Sequence, residues 1–125
     1  MKYIWLCAVL LCIPCHPVKA EEWNSERIQV ALERVSTRWG VPPLLVRAIM
    51  DVESSAHPWT VNVEGKDLYP RKSEDALRLV RTALARGESV DVGLMQINSY
   101  WIHKLRLSPD IVLDPFVNLG SGLVN

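Results

Sequence analysis

Between two proline barriers, Pro42-Pro43 and His57-Pro58, the chain carries an apolar run with helical spacing that ends in a carboxylate. Leu44, Leu45, Ala48, Ile49 and Val52 recur at the spacing of a broad helix face. Proline is tolerated in a first helical turn, so Pro42-Pro43 opens the element. The residue before a proline is pushed out of the helical region, so His57-Pro58 closes it. A helix with so wide an apolar face must be covered by other elements, which makes helix packing the dominant architecture. Glu53 directly follows the last apolar position.

The same reading extends along the chain. Ser25 to Trp39 forms a first helix with Ile28, Ala31, Leu32, Val35 and Trp39 on one face and Gly40 as its stop. After Pro58 the period changes: Trp59, Val61 and Val63 alternate with Thr60, Asn62 and Glu64. Glu64-Gly65-Lys66 supplies a turn, and the hairpin returns through Leu68 and Tyr69. Ser73 caps a third helix with Glu74 and Asp75 in its first turn. Its inner face is Ala76, Leu77, Val80, Ala83 and Leu84, and Gly87 ends it. Gly93 to Asn98 leads into a fourth helix through Trp101 and Leu105. Asp114 caps a last helix through Phe116, Leu119 and Leu123 that stops in mid-pattern, as expected where C-terminal sequence is missing. The expected fold is mainly α, an α+β arrangement with one small hairpin.

The first twenty residues read as an export signal. Lys2 is followed by the apolar stretch Tyr3 to Ile13, Pro14 breaks it, and Val18-Lys19-Ala20 provides a cleavage site. The stretch is short for a membrane span, so removal is expected rather than a stable anchor. The domain proper is then 21–125, exported to the periplasm. Cys7, Cys12 and Cys15 all lie in the leader, so the remainder holds no cysteine. It must be stabilised by packing, without disulfide or cysteine metal site. Without Lys2 and Lys19 it carries 12 basic and 14 acidic residues, a net charge of −2. Neither sign dominates, so nothing in the charge points to nucleic acid or an anionic membrane surface, and neither is expected as a partner.

The chemistry concentrates in two places. A carboxylic acid among apolar helix residues under a hairpin is expected to be poorly solvated. Desolvation disfavours its charged form, so such an acid holds a proton near neutral pH. A protonated Glu53 can donate to a glycosidic oxygen as the bond breaks. Taken alone, Glu53 also reads as an ordinary acid at a helix end. Forty residues on, Gly93-Leu94-Met95-Gln96-Ile97-Asn98 combines a glycine that allows close backbone approach with two amides suited to sugar hydroxyls or an N-acetyl group. Taken alone, that run also reads as a tight entry to a core helix.

Together, Glu53-Ser54-Ser55 and Gly93-Leu94-Met95-Gln96-Ile97-Asn98 resemble the paired signature of the lytic transglycosylases related to goose-type lysozyme. Pro58 to Lys66, Val90-Asp91-Val92-Gly93 and Asp114-Pro115-Phe116-Val117-Asn118-Leu119 are similar to the branch found in integrating conjugative elements. The resemblance implies a lysozyme-like domain that cleaves peptidoglycan glycan strands between N-acetylmuramic acid and N-acetylglucosamine. It implies Glu53 as sole acid and base, a 1,6-anhydro product, and no cofactor. Gln96, Asn98, Met95 and Trp59 are the expected substrate contacts, and a conjugation or secretion apparatus the expected partner. The family usually continues into a helix bearing a Tyr-Asn pair, which Tyr100 does not match, and Phe116 stands where secretion-system relatives often carry a cysteine.

Other residues have plainer readings. Asp91 either orients a water, as in a hydrolase, or caps a turn, and the cap is the expectation. Trp101 is expected in the core. Glu53, His57 and His103 have partial metal-ligand spacing, but Pro58 ends the helix too early, so no metal is expected. Arg71, Lys72, Arg78, Arg81 and Arg86 read as a solvated helix face. The rival function is a non-catalytic peptidoglycan-binding or assembly module of a secretion or conjugation apparatus.

Overall fold

The computed structural model describes residues 23–124. The export signal and its cleavage site lie outside those residues, as does Asn125. Six helices and a small sheet follow in the order α1 (Ser25–Trp39), α2 (Pro43–Ser54), β1 (Val61–Val63), β2 (Lys66–Leu68), α3 (Ser73–Ala85), β3 (Val90–Val92), β4 (Ile97–Asn98), α4 (Ser99–Lys104), α5 (Pro109–Leu113) and α6 (Pro115–Gly122). The mainly helical architecture is as expected. No helix among the described residues is long and apolar enough to cross a membrane.

Local chemistry explains most boundaries. The cap of α1 is Asn24, whose side-chain oxygen accepts from Arg27 N at 2.9 Å. Gly40 ends α1 in the left-handed region at φ 65°. Asp114 caps α6 by accepting from Val117 N at 3.0 Å, as the sequence suggested. Ser73 starts α3 without capping it, because the cap position is Lys72 and no side-chain cap bond forms.

Two expectations are corrected. First, α2 does not bury the face assigned to it. Val46, Met50 and Ser54 point into the core, whereas Leu44, Leu45 and Val52 are 80%, 51% and 84% exposed. The helix is apolar on nearly every side, so periodicity alone did not single out its inner row. The row that packs is the one facing α1, where Arg47 also donates to Gln29. Trp39 is likewise exposed.

Second, the hairpin is part of a larger sheet. The strands run β2-β1-β3-β4, all antiparallel. Asp91 therefore lies on β3 opposite Asn98 of β4 rather than capping a turn. Strands of three and two residues are too short to show an alternation that stands out in sequence.

Val61 pairs with both Leu68 and Val92, and Val92 with Ile97. Val61, Val90, Val92, Leu94 and Ile97 join Leu32, Val35, Val46, Met50, Val80, Val112 and Leu119 in one core. One step beyond the last sheet rungs, Gly93 N donates to Thr60 O at 2.8 Å and Gln96 N to Gly93 O at 3.1 Å. The registers thus set Tyr69, Thr60, Gly93 and Gln96 side by side across the end of the sheet.

Asn118 of α6 closes the core beneath this end. It is fully buried, donates to Val92 O and Val112 O at 2.8 Å each, and accepts from Met95 N at 2.8 Å. Gly93 has φ +78°, and a Cβ there would stand 2.7 Å from Asn118 Cγ and closer still to its Nδ2. Gly65, in the hairpin turn at φ +83°, has nothing within 4 Å. Gly65→Ala should therefore lose only the backbone cost, about 1 kcal/mol. Gly93→Ala adds a clash with an immobilised amide and should lose about 3 kcal/mol or more in urea denaturation. Equal losses at the two positions would contradict the clamp.

Candidate active site

The end of α2 and the Gly93–Gln96 turn are joined by buried polar groups. Ser54, 3% exposed, shares its hydroxyl between Met50 O at 3.1 Å and Leu94 O at 2.9 Å. The second of these bonds crosses from the helix that carries Glu53 to the turn that carries Gln96. Ser55 and Ala56 then take left-handed conformations, with φ 52° and 58°, and swing the chain out of α2 towards the sheet. Thr60, 1% exposed, ties down that swing: its hydroxyl donates to His57 O at 3.1 Å, with Ser54 O at 3.5 Å.

Gln96 has φ 48°, a conformation that costs a non-glycine residue about 1 kcal/mol. Its side-chain amide offsets that cost by donating to Gly93 O at 2.9 Å and Thr60 O at 3.2 Å. Its Oε1 has no partner among the described residues, and the side chain is half-buried. Strained backbone held by its surroundings is characteristic of sites where a side chain must be aimed.

Glu53 is exposed, which corrects the expectation of a poorly solvated acid. It lies three residues after buried Met50 and one before buried Ser54, at the flank where α2 outruns the core. The neighbouring face of Leu45 and Val52 is open, so no element covers the carboxyl group. Glu53 has no hydrogen-bond or ion-pair partner among the described residues.

The remaining predicted contacts fall in different places. Met95 is 7% exposed, with its N–H bound to Asn118, so it presents little surface. Asn98 sits two residues past Gln96 with its amide engaged at both ends: Nδ2 donates to Asp91 at 2.8 Å, and Oδ1 accepts from Tyr100 N at 2.9 Å as the cap of α4. Trp59 is half-buried against the core beside Thr60, and Trp101 is packed against the core as expected. The structure therefore ties Ser54, the neighbour of Glu53, to Leu94 and the Gln96 amide to Thr60 beside Trp59, and sets Asn98 further along the sheet. Thr60 and Asn118 were not singled out as site residues. The sequence pattern gave no signal for them: Thr60 alternates with apolar neighbours as an outward-facing residue would, yet both side chains are buried.

His57 lies between these parts. Its Nδ1 is buried without a hydrogen-bond partner, and its ring meets Tyr69 edge-on, with centroids 5.9 Å apart at 87°. Burial lowers its pKa from the ordinary 6.5.

Comparison with known proteins places this geometry. The Transglycosylase SLT domain family matches residues 31–123, and the chain belongs to that family; its fold is the lysozyme-like one. It is similar to Protein virB1 of Agrobacterium fabrum (strain C58 / ATCC 33970), 40% identical over 82 residues, which cover 64% of this chain and 34% of that protein. Protein virB1 of Rhizobium radiobacter and of Agrobacterium tumefaciens (strain 15955) are each 38% identical over 76 residues, 59% of this chain and 32% of theirs. The chain thus spans about a third of the length of these relatives. No solved structure matches it.

A pH prediction follows from His57. Because its folded pKa is lowered, the unfolded chain takes up the proton first as pH falls through 6.5. Stability should be fully present above that value and decline below it, down to the folded pKa. His57→Gln should flatten the dependence of the denaturation midpoint as pH falls below 6.5. An unchanged slope in the variant would assign the loss to other groups.

Proposed function

We propose that this domain is a lytic transglycosylase acting on peptidoglycan, with Glu53 as its only acid and base. The observation that carries the reading is the Ser54 bond to Leu94 O, which fixes the end of Glu53's helix against the turn that aims Gln96. A glycan strand lying across that junction places a glycosidic oxygen beside the carboxyl and its substituents beside the Gln96 Oε1.

The steps balance with one carboxyl group. Glu53 gives its proton to the glycosidic oxygen as the bond from C1 of N-acetylmuramic acid breaks, and N-acetylglucosamine leaves with a free hydroxyl. The carboxylate then takes the proton from the 6-hydroxyl of the same muramic residue while O6 bonds to C1. The product is a 1,6-anhydro end, no water is consumed, and Glu53 is protonated again. Hydrolases of the same bond use a second carboxylate as nucleophile or base; here the substrate's own hydroxyl takes that part. Trp59 and Gln96 serve as substrate contacts, with Met95 and Asn98 shaping the turn around them. The setting we propose is the periplasm, after export, with local opening of the wall for a conjugation apparatus.

The exposure of Glu53 favours a second reading, a peptidoglycan-binding or assembly module without turnover, since nothing among the described residues shields its carboxyl group from water. The purified chain on peptidoglycan, with products resolved by mass spectrometry, separates the two. Anhydro-muramyl ends are expected, with Glu53→Gln lowering their release about 1,000-fold while the folded signal persists. Undiminished release from Glu53→Gln would remove the acid from the mechanism. Binding with no products from the unsubstituted chain would establish the second reading.

A further inference from the structure

The row Tyr69, Thr60, Gly93, Gln96 gives the end of the sheet a direction. Its members come from four adjacent strand ends, so Tyr69 and Gln96 stand three strand spacings apart, about 14 Å. Ser54, next to Glu53, is tied to Leu94 and approached by Thr60, between the two ends of the row. One end thus holds an aimed amide and the other an aromatic ring.

Tyr69 is 57% exposed and directly follows Leu68, the last residue of β2. Its ring is held from one side by the edge-on contact with His57, which belongs to the same loop that leaves α2 after Glu53. Contact with His57 keeps the ring at the α2 end of the sheet. An exposed aromatic ring anchored by a neighbouring side chain suits the apolar face of a sugar ring, whose C–H groups pack on a π-face.

We propose that Tyr69 is a sugar-stacking subsite that lets this chain prefer long glycan strands over short ones. The proposal rests on the glycan-binding part of the reading above but not on turnover. A strand gripped at Gln96 and passing Glu53 extends over Tyr69 only if it continues for further sugars on that side. Short fragments that end at the junction gain nothing from the ring.

The test is binding, measured by calorimetry on the Glu53→Gln chain so that cleavage does not intervene, using peptidoglycan glycan strands of two sugars and of six or more. The Glu53→Gln chain should bind the long strand more tightly. Tyr69→Ala added to it should weaken long-strand binding about tenfold, while Tyr69→Phe, which keeps the ring, should retain it. Tyr100→Ala, which removes an equally exposed ring on α4, should change nothing. Equal affinity for the long strand with and without the Tyr69 ring overturns the subsite. Absence of binding to any strand overturns the glycan-binding reading, and with it the subsite; loss of binding only in Tyr69→Ala leaves that reading intact.

Discussion

Apolar attraction is non-directional, so a hydrophobic core by itself does not hold a helix end at one distance from a tight turn. In this domain the direction comes from three polar side chains sunk in that core. Ser54, Thr60 and Asn118 are each 3% exposed or less, and each bonds at least one backbone group outside its own element. A slide of α2 along the turn, or a shift of α6 away from β3, strands a buried donor or acceptor at about 1–3 kcal/mol apiece. Packing supplies most of the stability, while these three residues supply the register. The candidate site inherits its geometry from them.

The same arrangement explains why the carboxyl group is hydrated. The core ends at Met50 and Ser54, and both are drawn inward. Glu53 lies between them in sequence but on the flank, where α2 continues beyond its supports. Leu44, Leu45 and Val52 show that this helix has more apolar surface than the described residues cover. Anything laid along that flank, a glycan strand included, removes water from both the apolar stripe and the acid beside it. Hydration of Glu53 is thus a property of the open flank of α2.

How much of this was legible in the sequence depends on the physical signal. Helix limits were readable because glycine, proline and capping side chains act locally: Gly40, Gly87 and Asp114 did in the fold what their chemistry suggests. The inner face of α2 was not readable, since a helix apolar all round gives no preferred phase. Strands β3 and β4 escaped notice because two or three residues do not make a pattern, and β3 is placed by pairing with β1, some thirty positions away. The Glu53–Gln96 junction was visible as two motifs, but its fasteners were not. Thr60 and Asn118 act by burial, and burial is a property of the assembled fold.

An exposed carboxyl group bears differently on the two ways of breaking a sugar bond. A hydrolase must bring a water molecule to C1 and activate it, so its second carboxylate has to be placed as carefully as the first. In the intramolecular route the nucleophile is already bonded to the sugar that carries C1. Such tethering reaches effective concentrations of about 10⁵ M or more, far above that of bulk water. Free access of solvent to Glu53 then does little to divert the product, because O6 arrives first. What the protein must still supply is the proton, and therefore a groove that dries when it fills. The demand falls on the strand as much as on the chain: a glycan long enough to span from Gln96 past Glu53 excludes the water that a short fragment leaves behind.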